Sequence, residues 1–358
     1  MYLNNFTEIL IVLSIHNVIL TLRRKVMKKV LVSGVSGFIG MHCAKQLLDK
    51  GYQVVGTTRS SSKHDEVMDA IGHENLSLVN ADLLSDENWD SAIEGCDYVL
   101  HVASPVMMGE PDHEDVLVKP AKEGTMRVVQ LAAKHKVKRV VITSSVAAVS
   151  YGPHHHKDHF DDTDWSDIND PGIPSYNKSK TVAEKAAREF VAGLSGEDKL
   201  EICTMHPALV VGPSLSSDIG ESNTVVKRML DGSTPGTPKL HMGFVDVRDV
   251  AAMHVAAMTA EGAAGQRFIL SESSLWLSEM STILRDAGFD KAPKRNIPNF
   301  ILKIIALRDK DLSGTIPLLG RVGTYDISKT KDILGWQPTK AADAIVDTAE
   351  HLKAKGLI

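Results

Sequence analysis

Cysteine is scarce. Only Cys43, Cys96 and Cys203 occur in 358 residues, forming neither a disulfide framework nor a paired metal motif. A reducing, cytoplasmic compartment fits that count. Positive charge is not in excess: 40 Lys and Arg against 45 Asp and Glu leave a formal charge of -5 and a pI near 6.3. Nothing here suggests a general affinity for phosphate backbones, so nucleic acid is not an expected partner. No apolar run is long enough to span a bilayer: residues 9–22 (ILIVLSIHNVILTL) include Ser14, His16, Asn17 and Thr21 and fall short of the ~20 apolar residues required. Internal repeats and low-complexity tracts are lacking as well. What is present, 43% hydrophobic and 24% charged residues, is an ordinary globular balance.

The apolar run at the N-terminus is followed, not preceded, by Arg23, Arg24 and Lys25, the reverse of a secretory signal. Met27-Lys28-Lys29-Val30 then opens directly into a strand pattern. Residues 1–26 read as an extension outside the fold, with a packing or dimerisation helix and a membrane-surface anchor as the alternatives.

From residue 28 short apolar runs alternate with helical stretches. Strands are expected at 29–32, 53–57, 76–79, 98–102, 139–143 and 201–205, with helices at 38–49, about 118–135 and 178–194. Mostly apolar strands separated by helices indicate a parallel sheet covered on both faces, hence an α/β, Rossmann-type doubly wound fold. After Pro213, Gly, Pro and Ser dominate to residue 240 around one short helix. A strand at 244–247, a helix at 248–260, a strand at 266–270 and amphipathic segments near 277–287 and 340–354 follow. The expected organisation is a dinucleotide domain over 27–212 and a smaller substrate lobe over 213–358, interwoven around 241–271.

Gly34, Gly37 and Gly40 lie between the first strand and the first helix, in the run Ser33-Gly34-Val35-Ser36-Gly37-Phe38-Ile39-Gly40. The first glycine permits a tight turn, the second a close approach to a pyrophosphate, and the third close packing of helix on strand. The helix N-terminus, starting at Phe38 and Ile39, then offers N–H groups to phosphate. The second strand ends in Thr58-Arg59, without the acid that would take the ribose hydroxyls of NAD. Arg59, with Lys63 close behind, suits a 2′-phosphate, so NADP(H) is the expected cofactor. Asp82 and Leu83, after the third strand, are placed to flank the adenine.

Tyr176 and Lys180 stand four apart at the start of a helix, hence on one face. An ammonium near a phenol is expected to lower its pKa towards neutrality, readying it for proton transfer at a carbonyl or alcohol oxygen. Thr143-Ser144-Ser145 ends the fifth strand at the edge where such sheets place ligands, and a serine there could hold the substrate oxygen.

Together these motifs resemble an extended short-chain dehydrogenase/reductase of the dihydroflavonol-reductase-like branch, which includes cinnamoyl-CoA, anthocyanidin and microbial aldehyde/ketone reductases. The resemblance runs from about Met27 to the end. It is carried by VSGVSGFIG (32–40), HVASP (101–105), KPAKEGT (119–125), TSSVAAV (143–149), YNKSK (176–180), HPALVVGP (206–213) and VDVRDVA (245–251). It implies a Ser–Tyr–Lys triad matching Ser145, Tyr176 and Lys180, with Ser145 taken over Ser144 because the family's active serine is the second of the pair. It also implies that Lys180 bonds the nicotinamide ribose and that Val102, Ala103 and Ser104 line the cofactor. Pro207, Ala208, Leu209 and Val210 would back the nicotinamide, and Ser222 matches a further contact.

The chain departs from plant dihydroflavonol reductases where they carry an asparagine a few residues after the active serine; Ser150 stands here, and the segment 151–156 (YGPHHH) differs too. A small aldehyde or ketone is therefore the expected substrate. Other readings are a nucleotide-sugar epimerase or dehydratase, a steroid-type dehydrogenase, and a non-catalytic NADP-sensing protein; the last would be expected to have lost Tyr176 or Lys180. No metal is expected, because the adjacent His154, His155 and His156 with His159, Asp158, Asp161 and Asp162 read as a solvated loop. Met107 and Met108 read either as pliable pocket walls or as ordinary packing. Cys203, in an apolar strand, reads as inert core. The protein is expected to be a monomer or a homodimer.

Overall fold

In the computed structural model, which describes residues 27–105, 109–152, 157–196, 199–307 and 315–358, the alternating pattern folds into a seven-stranded, all-parallel sheet. Its strands are β1 (Lys29–Ser33), β2 (Gln53–Thr58), β3 (Leu76–Asn80), β4 (Tyr98–His101), β5 (Arg139–Thr143), β7 (Glu201–Pro207) and β10 (Arg267–Leu270), in the order β10-β7-β5-β4-β1-β2-β3. The order reverses between β1 and β4, and the crevice outside the carboxyl ends of those two strands is where such sheets bind ligands.

Alternation within each strand divides the core into two layers. Val30 and Val32 point to one face, where they meet Met41, Ala44 and Leu47 of α1 (Phe38–Asp49) and Val250 and Ala251 of α7 (Val247–Ala257). Leu31, Val99 and Val140 point to the other, against Trp89 and Ile93 of α3 (Trp89–Ile93) and Val128, Val129 and Ala132 of α4 (Asp115–Lys134). Each wholly buried side chain of this kind contributes about 1.5–3 kcal/mol relative to exposure. Cys203 is buried within β7, and burial pushes its thiol up to about 12, as suits an unreactive core position.

Of two further small sheets, the sequence showed only the strand at 244–247, which is the end of β9 (His241–Asp246). β8 (Leu209–Val211), β9 and β11 (Ser273–Trp276) form one, in the order β11-β9-β8, with β11 antiparallel. β6 (His159–Phe160) and β12 (Thr324–Tyr325) form the other. The three-stranded sheet packs against α6 (Glu221–Leu230), α8 (Leu277–Asp286) and α11 (Ala341–Ala354) around Phe244, Leu284 and Ile345. Residues 1–26, Met107, Met108 and His154 to His156 lie outside the described residues.

Candidate active site

The turn after β1 has the shape its glycines predict. Gly34 has φ +67°, and a Cβ there would come within 3.0 Å of Ala103 Cα, on the segment after β4. A Cβ on Gly40 would overlap the Gly34 carbonyl oxygen, so α1 packs directly on the turn. The α1 N-terminus has no side-chain cap and no acid in its first turn, which leaves orphan N–H groups suited to an anion. Phe38 and Ile39 form that first turn, and Phe38 packs edge-on to His42 and against Gly220. Ser222 lies just beyond Gly220, in the first turn of α6.

Around this turn the other sequence-derived positions fall as follows. The Ala103 N–H donates to Ser33 Oγ at 3.0 Å, holding Val102, Ala103 and Ser104 beside the glycine turn. Arg59 follows β2, is exposed, and makes no hydrogen bond or ion pair among the described residues. Lys63 is already engaged: its Nζ lies 2.7 Å from Glu66 Oε2, in α2 (His64–Ile71). Glu66 also accepts from Ser217 N–H at 2.9 Å, and these contacts hold its carboxyl down at about 2. Asp82 accepts from Leu84 N–H at 2.8 Å, while Leu83 packs against Gly124 of α4.

At the opposite end, α5 (Ser175–Ala192) begins after Pro174, which offers it no side-chain cap. Glu110 substitutes, accepting from Ser175 Oγ at 2.7 Å and placing a carboxylate at the positive end of the helix. This start fixes Tyr176 and Lys180 on the face toward β5. Lys180 is buried and donates to the Thr143 carbonyl at 3.0 Å, with Nζ 5.8 Å from the centre of the Tyr176 ring. Ser145 caps a short 3₁₀ turn at residues 146–148, accepting from Ala147 N–H at 3.2 Å, and its hydroxyl donates to the Pro207 carbonyl at 3.4 Å. Pro207 and Ala208 thus stand beside Ser145, with Leu209 half-buried and Val210 buried behind them in β8.

One expectation is corrected. Burial pushes the Tyr176 phenol above its ordinary value, and the Ser145 hydroxyl pulls it only part-way back. The phenol is not brought towards neutrality, because the Lys180 amine is turned to the Thr143 carbonyl and a half-buried phenolate loses hydration. Burial in turn lowers Lys180 to about 8.

A family model described as the NAD dependent epimerase/dehydratase family matches residues 30–270. The chain belongs to that family. Cinnamoyl-CoA reductase 1 of Arabidopsis thaliana is 35% identical to it over 338 residues, 92% of this chain and 90% of the relative. The methylglyoxal/isovaleraldehyde reductase Gre2 of yeast, solved in complex with NADPH, matches with a TM-score of 0.76 at 28% identity, across 92% of this chain and 100% of that one. Vestitone reductase from alfalfa (Medicago sativa L.) matches with a TM-score of 0.73 at 25% identity, across 92% and 99%. Within the epimerase/dehydratase family these relatives belong with the extended short-chain dehydrogenase/reductases of the dihydroflavonol-reductase-like branch, and so does this chain.

The site also contains a buried group that sequence reasoning missed. Glu184, one turn beyond Lys180, is 1% exposed. Its Oε2 accepts from Ser144 Oγ at 2.8 Å and His206 Nε2 at 2.7 Å, and its Oε1 from Thr204 Oγ1 at 3.0 Å, Arg188 Nε at 3.0 Å and Arg267 Nε at 2.8 Å. These partners outweigh desolvation and hold its carboxyl well below the usual carboxylate range. The spacing 176, 180, 184 and 188 was the available signal, since it puts Glu184 and Arg188 on the same inward face as the tyrosine and lysine.

Proposed function

We propose that this protein, an NADP-dependent oxidoreductase, uses NADPH to reduce the carbonyl group of a small aldehyde or ketone. The observation that carries the reading is the convergence of Ser145, Tyr176 and Lys180 at the carboxyl end of β5. The cofactor fits the residues present: an uncapped α1 N-terminus, a turn at Gly34 with no room for side chains, and a free Arg59 with no neighbouring acid in its strand. Bound there, NADPH would supply the hydride.

The chain's own residues do the rest. Ser145 Oγ and Tyr176 Oη hold the carbonyl oxygen, and Tyr176 gives it a proton. The raised phenol pKa keeps that proton in place at neutral pH, which suits reduction more than alcohol oxidation. Lys180 holds the nicotinamide ribose, and Arg59 forks onto the 2′-phosphate. Val102, Ala103 and Ser104 line the cofactor from one side, and Pro207 to Val210 from the other. Residues 213–358 close the substrate side. Ser150 is already joined to Tyr325, with the hydroxyl oxygens 3.1 Å apart, so the position that holds an asparagine in plant dihydroflavonol reductases is internally satisfied. That favours a small carbonyl compound over a flavonoid. We place the reaction in the cytoplasm, a reducing compartment that suits three buried free cysteines; no described helix is long and apolar enough to cross a membrane.

The test is NADPH oxidation by the full chain against a panel of small aldehydes, ketones and dihydroflavonols. Turnover should be highest with a small aldehyde or ketone and should consume NADPH in preference to NADH. Failure to oxidise NADPH with any carbonyl compound would refute the reading.

A further inference from the structure

Four residues of α5 form an inward stripe at helical spacing: Tyr176, Lys180, Glu184 and Arg188. The third is a buried carboxylate. The groups facing Glu184 are Ser144 after β5, Thr204 and His206 of β7, Arg267 of β10 and Arg188 of its own helix. Lys180 shares a small cavity with it, lined also by His101 of β4, Thr125 of α4 and Ser144. His101 is buried and held down at about 3, so it is neutral, and Thr125 carries no charge. Burial lowers His206, and its buried Nδ1 has no hydrogen-bond partner, so it stands neutral beside the carboxylate. Glu184 therefore faces three cations, Arg188, Arg267 and Lys180, while Asp162, bridged to Lys329, also acts on Arg267.

We propose that Glu184 is a positioning residue, anchoring the strand end that carries Ser144 and Ser145 and supplying the negative charge that keeps Lys180 an ammonium. Of the three cations only Lys180 can give up a proton. Guanidinium groups keep their protons at any pH at which the protein works, so they cannot relieve an excess of buried positive charge. Lys180 can, because desolvation already disfavours its charged form. Withdrawing the carboxylate leaves an uncompensated positive cluster, and the proton lost to relieve it comes from Lys180. The anchoring half follows from geometry: Ser144 is joined to Glu184 through its hydroxyl and to Met205 through its N–H at 2.8 Å, so the residue before Ser145 is fixed at two points.

The inference rests on the proposed role of Lys180, and its test separates the two. Full-length protein labelled with [ε-¹³C]lysine is titrated by NMR, the Lys180 signal being assigned by its loss in Lys180→Arg, alongside the pH profile of NADPH-dependent reduction. In Glu184→Gln the Lys180 titration should move down by about one pH unit or more, with the alkaline limb of the rate following it. Glu184→Asp keeps the charge, so it should hold the titration near its parental position even if melting falls. If Glu184→Gln alone does not fold, Glu184→Gln with Arg188→Gln removes the stranded guanidinium, and compared with Arg188→Gln alone it should still lower the titration. An unmoved Lys180 titration in the Gln variants, with rates reduced equally at every pH, would overturn the proposal and leave Glu184 a purely structural group. A shifted titration that the rate ignores would uphold Glu184 and refute the role given to Lys180.

Discussion

The two ends of the dinucleotide groove are built in opposite ways. At the β2 end the charges sit in water: Arg59 is exposed and unengaged, and Lys63 is held by a surface bridge to Glu66. At the β5 end they are buried: Lys180 and Glu184 are enclosed, and the carboxylate accepts from Ser144, Arg188, Thr204, His206 and Arg267. An exposed charge can be changed with little cost to the fold, so substitutions there should alter which cofactor is chosen. A buried one holds its neighbours in place, so substitutions there should alter catalysis and stability together.

The sharpest contrast should come from Lys180→Ala. It removes the proposed ribose contact and the ammonium beside the phenol, so NADPH affinity and turnover should both fall, turnover by ~10²–10⁴ or more. The same residue sets a pH dependence in the parent protein. Its amine, lowered to about 8, is charged below that pH and loses its proton above it, so reduction should decline as pH rises through about 8. Between there and the ordinary lysine value the unfolded chain binds more protons than the folded one, so this group's contribution makes the fold more stable as pH rises. A falling rate with an unchanged or rising melting temperature in that window is the expected pair. A rate that stays flat to about pH 10 would break the buried half of the comparison.

At the exposed end Arg59→Ala should leave melting unchanged and narrow the preference for NADPH over NADH. A charge-assisted bond to phosphate is worth roughly 1.5–3 kcal/mol, so about tenfold or more is at stake. Equal Michaelis constants for the two cofactors in the parent protein would contradict this. The smallest effect is expected from Lys63→Ala. Its partner Glu66 is a surface group, and such bridges contribute about 0–1 kcal/mol. Melting should therefore barely change, and NADPH affinity should drop less than in Arg59→Ala; a larger drop would make Lys63 the main phosphate ligand.

What could be read from the sequence follows the same division. The glycine turn, the missing acid after β2 and the Tyr176–Lys180 spacing are local patterns, legible because residues near in sequence share a turn or a helix face. The alternation of strands and helices was legible because each βαβ unit is itself local, whereas the order of strands in the sheet was not read. For Glu184 the helical spacing gave only its helix face, since its partners Ser144, Thr204, His206 and Arg267 lie 40, 20, 22 and 83 residues away. The direction of the Tyr176 shift was missed for a related reason: spacing brings a lysine near a phenol, but burial and the Thr143 carbonyl decide where the amine turns. β8 has three residues, and β6 and β12 have two each, too short for alternation to register.

The central claim is that Tyr176 donates the proton that completes carbonyl reduction. Tyr176→Phe keeps the ring and removes only the hydroxyl. Its NADPH affinity, measured by fluorescence, should stay close to the parent's. Steady-state reduction of the best small aldehyde should fall by ~10²–10⁴. Near-parental turnover in that variant would contradict the account.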